Sequence, residues 1–391
     1  MSAAGTFVLI MAGGTGGHIF PGLAVADSLR QRGVEVRWLG ARGAMECQRV
    51  PARGIPLDVV DIAGLRGKGA ASWLLAPWKL LRAVFQAWRL LGRRRPSCAI
   101  SFGGYAAGPG GLAARLRGIP LLVHEQNRVA GMTNRVLARF AARVLQAFPG
   151  TWDEKLEPVT CGNPVRREVA ELAAPGVRLA RREGPPRLLV TGGSQGALAL
   201  NRLVPESLAL LPAGFTVEVR HQAGRGRQDE TEAAYRAVGI EPGTSCGGAL
   251  ADDGSPESPA SGHSQAKQVS TVQVSEFIED MAEAYGWADL VICRAGALTV
   301  SEVAAAGLPA IFVPFPYAVD DHQTRNAEYL VERGAALLLA ESDISARRLA
   351  DALMELLRDS ARRIDMAVRA RGAAEPDAAA RVADVCRELA A

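Results

Sequence analysis

The stretch "IMAGGTGGHIFPG" (residues 10–22) sets four glycines (13, 14, 16 and 17), a threonine and a histidine directly after the apolar run Phe7–Met11. A helical pattern, "LAVADSLRQRG", follows at once. An apolar strand that ends in bare backbone and passes into a helix points N–H groups and the positive end of the helix dipole at an anion. The segment "RLLVTGGSQGALALNRL" (187–203) repeats this layout in the second half of the chain.

Between these segments, short β-rich runs alternate with helical ones: "VEVRWLG", "IPLDVVDI", "CAISF" then "GLAARLRG", "IPLLVHE" then "NRVLARFAARV". The strands are apolar throughout rather than alternating, which predicts parallel sheets covered on both faces by helices. At 391 residues the chain exceeds what one core usually serves. The expected fold is therefore α/β with two doubly wound domains, residues 1–165 and 187–391, joined by a linker at 166–186. In the second domain "VEVRHQ", "TVQVSEF", "DLVIC" and "PAIFVPF" read as strands and "SARRLADALMELLRDSARRIDMAVRARG" as late helices. Residues 242–268, dense in Gly, Ser, Pro and Asp, read as a flexible surface loop.

Charge is unevenly distributed. Residues 1–163 hold 21 Lys and Arg against 9 Asp and Glu, while the remainder holds 24 against 32, so the front half is the part suited to anionic partners. Six scattered cysteines (47, 98, 161, 246, 293, 386) form no C-x-x-C pair, which predicts a reducing compartment and no metal cluster. The N-terminus has no cationic lead into an apolar core and cleavage site, so no signal peptide is expected. The uncharged windows 7–26 and 96–114 are broken by Gly and Pro, so no membrane span is expected either.

Glycine clusters at strand ends occur four times: "GGTGGH" (13–18), "GGYAAGPGG" (103–111), "GGSQGA" (192–197) and "RAGALTVSE" (294–302). The first is not G-x-G-x-x-G, and "VEVRWLGARG" lacks the acidic residue of a dinucleotide fold. No P-loop is present, which leaves the diphosphate of a sugar nucleotide as the expected anion. If "GALTVSE" opens a helix, Ala297, Leu298 and Thr299 offer first-turn N–H groups to phosphate. Glu302 one turn in can accept two hydrogen bonds from a ribose diol, the alternative being a capping box with an upstream residue. Gln323 and Asn326 in "DDHQTRNA" stand three apart, suited to sugar hydroxyls.

The segments "MAGGTGGHIFPGLAVA", "GLRGKG", "SFGGYAAGPGGLAA", "HEQN", "GNPVR", "GGSQGA", "CRAGALTVSEVAAAGLPAIFVP" and "HQTRNA", in this order, closely resemble the MurG family of bacterial N-acetylglucosaminyltransferases over essentially the whole chain. The resemblance implies the GT-B architecture: two Rossmann-like parallel-sheet domains facing across a cleft, the C-terminal one holding the sugar nucleotide and the N-terminal one the lipid acceptor. It implies inverting transfer of N-acetylglucosamine (GlcNAc) from UDP-GlcNAc to the C4 hydroxyl of the N-acetylmuramyl-pentapeptide of lipid I, giving lipid II in peptidoglycan synthesis. Carried over motif by motif, it implies donor contacts from Thr15, Gly16, Gly17, Asn127, Arg166, Ser194, the backbone of Ile278 beside uracil, the run Ala297, Leu298, Thr299, Val300, Ser301 and Glu302, and Gln323. Two departures stand out: a longer loop at 242–268 and one extra residue in "FPYAVDDHQ" ahead of Gln323.

A single displacement needs a base for the acceptor proton and support for the departing diphosphate. His18 is the first candidate base and Glu125 the competitor, which otherwise orients Asn127. With no D-x-D pair, helix N-termini and Arg166 are expected to stabilise UDP without metal or other cofactor. Residues 73–95 put Lys79, Arg82, Gln86, Arg89 and Arg93 on one helical face and Leu80, Leu81, Val84, Phe85, Trp88 and Leu91 on the other. That pattern fits an anionic bilayer surface or an ordinary core helix. A polyprenyl-diphosphate acceptor favours the first, hence peripheral attachment at the cytoplasmic face of the plasma membrane, with nucleic acid not expected as a partner. The alternatives are another GT-B enzyme using UDP-GlcNAc (a 2-epimerase or glycolipid synthase) and a non-catalytic nucleotide-sugar sensor.

Overall fold

The computed structural model describes residues 7–62, 76–180, 182–193, 196–243 and 271–390. The segment "GLRGKG", Ser194 and the expected loop beyond Gly243 lie outside the described residues.

The first sheet contains β1 (Phe7–Ala12), β2 (Glu35–Ala41), β3 (Leu57–Val60), β4 (Cys98–Gly103), β5 (Leu121–Glu125), β6 (Arg143–Gln146) and β7 (Val159–Thr160), in the order β3-β2-β1-β4-β5-β6-β7. The second contains β8 (Arg187–Thr191), β9 (Glu218–Gln222), β10 (Thr271–Ser275), β11 (Leu290–Cys293), β12 (Ala310–Phe312) and β13 (Ala336–Leu338), in the order β10-β9-β8-β11-β12-β13. Every pairing is parallel. Both sheets thus follow one plan: the chain winds outward from its first strand, then returns to that strand's other side. The reversal falls between β1 and β4 and between β8 and β11, the switch points where ligands of such sheets bind.

The apolar runs are explained by burial on both faces. In β1, Phe7, Leu9 and Met11 pack in one layer with Leu39, Val123 and Ala107, while Val8, Ile10 and Ala12 pack in the other with Ile19, Leu29 and Trp38. Fully burying side chains of this size stabilises by roughly 1.5–3 kcal/mol each before entropy is subtracted. Trp38 also donates its indole N–H to the Ala12 carbonyl at 2.8 Å, tying β2 to the end of β1. In the second sheet Leu188, Val190, Val219, Val272, Leu290 and Ile311 form one core with Leu349, Leu353 and Leu356.

The chain divides into two compact units, 1–171 with 296–305 and 374–391, and 172–295 with 306–373. The C-terminal helix Ala378–Ala390, expected with the second domain, therefore belongs to the first: Val382, Ala383 and Cys386 are buried against Ile19, Leu29 and Cys98. Its amphipathic pattern foretold a buried face but not which sheet would cover it. The linker is not featureless, for it contains the short helices Arg167–Ala170 and Pro175–Ala180. "NRVLARFAARV" is likewise divided: the helix Met132–Ala138 ends after Leu137 and Ala138 are buried, and Val144 enters the sheet as a partner of Val123. The late helical run splits into Ala346–Arg358 and Ser360–Gly372, each started by a side-chain cap, Ser345 accepting from Arg348 N at 3.2 Å and Asp359 from Arg362 N at 2.8 Å.

Candidate functional site

The glycine turn after β1 is shaped by a carboxylate that the sequence did not advertise. Glu46, fully buried, accepts hydrogen bonds from Gly14 N (3.1 Å) and Ala41 N (2.9 Å). A Cβ on Gly13 would collide with Glu46 Oε1, and a Cβ on Gly104 would collide with the Gly13 carbonyl. The turns after β1 and β4 therefore pack backbone on backbone, which only glycine permits.

The helix Gly16–Gln31 starts earlier than the pattern "LAVADSLRQRG" indicated, with Thr15 as an extended N-cap whose side chain makes no capping bond. Gly16 and Gly17 thus open a first turn whose intrahelical bonds begin only with His18 N and Ile19 N, both donating to the Thr15 carbonyl at 3.1 and 3.2 Å. His18 lies in that first turn rather than on a loop, half-buried, with Nδ1 2.9 Å from Gln126 Oε1. Gly103 (φ +94°) backs its ring, where a Cβ would lie 3.3 Å from Cε1.

"HEQN" ends β5. Glu125, 1% exposed, accepts four hydrogen bonds: from Asn127 N and Nδ2 at 3.0 Å each, Gly131 N at 3.1 Å and Asn134 Nδ2 at 2.9 Å. Asn134 is fixed in turn by Ser101 Oγ, which donates to its Oδ1 at 2.9 Å. This carboxylate is the hub that sets Asn127, with its acceptor sites occupied.

Within the same compact unit, "GNPVR" meets the helix Ala297–Ala306. Asn163 Nδ2 donates to Ser301 Oγ and the Gln126 carbonyl, both at 3.0 Å, and Arg166 pairs with buried Glu302 at 3.3 Å while lying over the Phe20 ring. Ala297, Leu298 and Thr299 occupy the helix's first turn. Val300 is fully buried and donates its N–H to the Gly296 carbonyl, so it packs the run in place rather than presenting a free group.

In the second unit Gln323 heads the helix His322–Val331 and its Oε1 accepts from Phe315 N (2.9 Å) and Ala295 N (3.2 Å). That leaves the amide NH2 as the end suited to a sugar oxygen. Asn326, expected beside it for sugar hydroxyls, is fully buried and donates to the Ala295 carbonyl at 3.2 Å, a post for the β11 exit instead. The "DD" ahead of Gln323 takes left-handed conformations at Asp320 (φ 53°) and Asp321 (φ 50°). Ile278 is half-buried beyond β10, with its backbone outside the sheet ladder.

The helix Ala76–Arg93 turns a narrow stripe, Ala83, Ala87 and Leu91, to the core. The broader apolar face is open: Trp78 is 71% exposed, Leu81 62% and Phe85 56%, with Leu80 and Trp88 also exposed. Gln86 clamps the helix to Asp61, donating to Oδ2 and accepting from the backbone N, both at 2.8 Å. Among the described residues no helix is long and apolar enough to cross a membrane.

Of the polar residues that organise this site, Glu46, Gln126, Asn134 and Asn163 had no assigned role from sequence. Gln126 and Asn163 lie within the quoted motifs, whereas nothing around Glu46 marks it.

Comparison with known families matches residues 8–146 to the glycosyltransferase family 28 N-terminal domain and residues 187–245 and 251–382 to the glycosyltransferase family 28 C-terminal domain. The UDP-N-acetylglucosamine–N-acetylmuramyl-(pentapeptide) pyrophosphoryl-undecaprenol N-acetylglucosamine transferase of Xanthomonas campestris pv. campestris strain 8004 is 55% identical over 97% of this chain and 81% of its own. The protein of the same name from Xylella fastidiosa strain Temecula1 is 51% identical over 97% and 95%. Among solved structures, Acinetobacter baumannii MurG superposes with a TM-score of 0.80 at 39% identity, covering 98% of this chain and 99% of that one. The kitacinnamycin glycosyltransferase, at 17% identity and a TM-score of 0.66 over the whole of both chains, shares the fold.

Proposed function

The chain belongs to glycosyltransferase family 28, and from that premise we propose that it transfers GlcNAc from UDP-GlcNAc to the C4 hydroxyl of the N-acetylmuramyl-pentapeptide of lipid I, with inversion, to give lipid II. The observation that carries the reading is that the four glycine clusters singled out in the sequence, after β1, β4, β8 and β11, flank the two switch points. Strand ends beside a switch point, where helix N-termini begin, are where such sheets hold a diphosphate. The high identity to transferases of both halves supports the choice of acceptor.

In the reaction the C4 oxygen bonds to the GlcNAc anomeric carbon as the bond to the β-phosphate oxygen breaks, and UDP departs as the anion. The first-turn N–H groups of Ala297, Leu298 and Thr299, with Arg166, bear the charge that develops on the diphosphate. Glu302 receives the ribose diol, Gln323 reaches the sugar through its amide NH2, Ile278 meets uracil through its backbone, and Ser194 adds a phosphate contact. Thr15, Gly16, Gly17 and Asn127 hold the sugar side of the donor near the acceptor. His18 takes the acceptor proton, and Glu125, enclosed by four donors, organises Asn127.

The open apolar face of the helix Ala76–Arg93, bordered by Lys79, Arg82, Arg89 and Arg93, supports peripheral attachment to an anionic bilayer, at the cytoplasmic face where UDP-GlcNAc is available. The test is transfer of radiolabelled GlcNAc from UDP-GlcNAc to a short-chain lipid I analogue in the presence of EDTA. Labelled lipid II analogue is the expected product; UDP-GlcNAc binding without transfer would send the search to another acceptor.

A further inference from the structure

Gln126, 1% exposed, lies between two histidines, and the direction of its hydrogen bonds follows from the buried end of the chain. His124 is fully buried, with Nε2 3.0 Å from the Gly162 carbonyl. A carbonyl only accepts, so Nε2 carries the hydrogen. Burial pushes His124 down to about 4, so the ring is neutral near pH 7 and its Nδ1 holds a lone pair. Gln126 Nε2 lies 3.0 Å from that lone pair and 2.8 Å from the His124 carbonyl. Both neighbours accept, which makes this end of the amide the NH2 and turns Oε1 toward His18. Oε1 in turn only accepts, so at 2.9 Å the hydrogen belongs to His18 Nδ1. Nε2 of His18 is left with the lone pair.

We propose that Gln126 is a positioning residue for sugar transfer: the chain from the Gly162 carbonyl through His124 and Gln126 holds His18 as its Nδ1–H tautomer, leaving Nε2 to receive the proton of the acceptor hydroxyl. The inference rests on His18 being the base. It adds the reason why this histidine is poised, since a free imidazole prefers its hydrogen on the other nitrogen. When Nε2 takes the proton, Nδ1–H keeps its bond to Oε1, so no side chain turns over during the reaction. Gly103 lies beside the ring, where a side chain would crowd the imidazole: a Cβ there would stand 3.3 Å from Cε1 and 3.5 Å from Nδ1.

Long-range 1H–15N correlation of the imidazoles, assigned by the signal lost in His18→Ala, reads the tautomer in the wild-type protein without any assay. The expected spectrum has His18 protonated on Nδ1 and bare on Nε2. In Gln126→Leu the proton redistributes toward Nε2, and kcat falls at least about tenfold of the roughly 10²–10⁴ that a general base supplies, while KM for UDP-GlcNAc stays within about twofold. Gln126→Glu keeps an acceptor oxygen toward Nδ1 and, with a proton on its other oxygen to donate to His124, retains the Nδ1–H signature and recovers part of kcat. A wild-type proton on Nε2 overturns the proposal, as does an unchanged kcat in Gln126→Leu. Full activity in His18→Ala would instead overturn the base assignment, with the wild-type tautomer still as described.

Discussion

At the scale of single residues, the site is built on buried polar groups whose neighbours come from distant parts of the chain. Glu46 holds the β1 turn from 32 residues away, and Gln126 meets His18 across 108. Such separations explain what could be read in the sequence. His18, Thr15 and Asn127 stand inside motifs whose residue types announce chemistry, whereas Glu46 sits in "AMECQR", where nothing marks a carboxylate that faces two backbone N–H groups. Glu46→Ala would leave the buried Ala41 N–H and the half-buried Gly14 N–H without that acceptor, a loss on the order of 2–4 kcal/mol in denaturant unfolding. Glu125→Gln turns an NH2 toward donors that the carboxylate accepts, and is expected to cost about 2–4 kcal/mol and to raise KM by disordering Asn127. kcat should collapse in His18→Ala and largely persist in Glu125→Gln; the reverse pattern would make Glu125 the base.

At the scale of elements, the strands were legible because a doubly covered parallel sheet demands unbroken apolar runs, as β1, β4 and β5 are. Helix boundaries were less so. "NRVLARFAARV" has one helical composition throughout, and only the vacancy beside β5 for Val144 draws its end into the sheet. The helix Ala76–Arg93 illustrates the same limit: its two-faced pattern fits core or membrane equally, and only the structure shows Ala83, Ala87 and Leu91 turned to the core with Trp78, Leu81 and Phe85 exposed. Replacing Trp78 and Leu81 together by Ser is expected to leave the unfolding midpoint nearly unchanged, because both are mostly exposed. It should lower partition onto anionic liposomes by at least about tenfold, each large apolar side chain being worth roughly 1.5–3 kcal/mol on burial. Co-sedimentation at low salt measures this, and undiminished binding would remove the helix from the membrane account.

At the scale of the whole molecule, the repeat of one plan was foretold by two glycine-ended strands, while the return of the C-terminal helix to the first unit was not, since a buried stripe names no partner. Among the described residues each unit also carries one fully buried histidine, His124 in the first, pushed down to about 4, and His221 in the second, pushed down to about 3 by burial. A histidine depressed on folding contributes its stability above the unfolded value near 6.5 and loses it as pH falls toward the folded one. Both units should therefore weaken together between about pH 6.5 and 4, by on the order of 3 kcal/mol per histidine at the acid end. Denaturant midpoints followed against pH check this, and the acid loss should be smaller in His221→Phe. Inverting transfer is checked by NMR of the reaction of UDP-GlcNAc with a short-chain lipid I analogue, with EDTA present. UDP and a β-linked disaccharide should appear in equal amounts, inverted from the α-linked donor; an α-linkage, UDP released without disaccharide, or an epimerised donor would rule this reaction out.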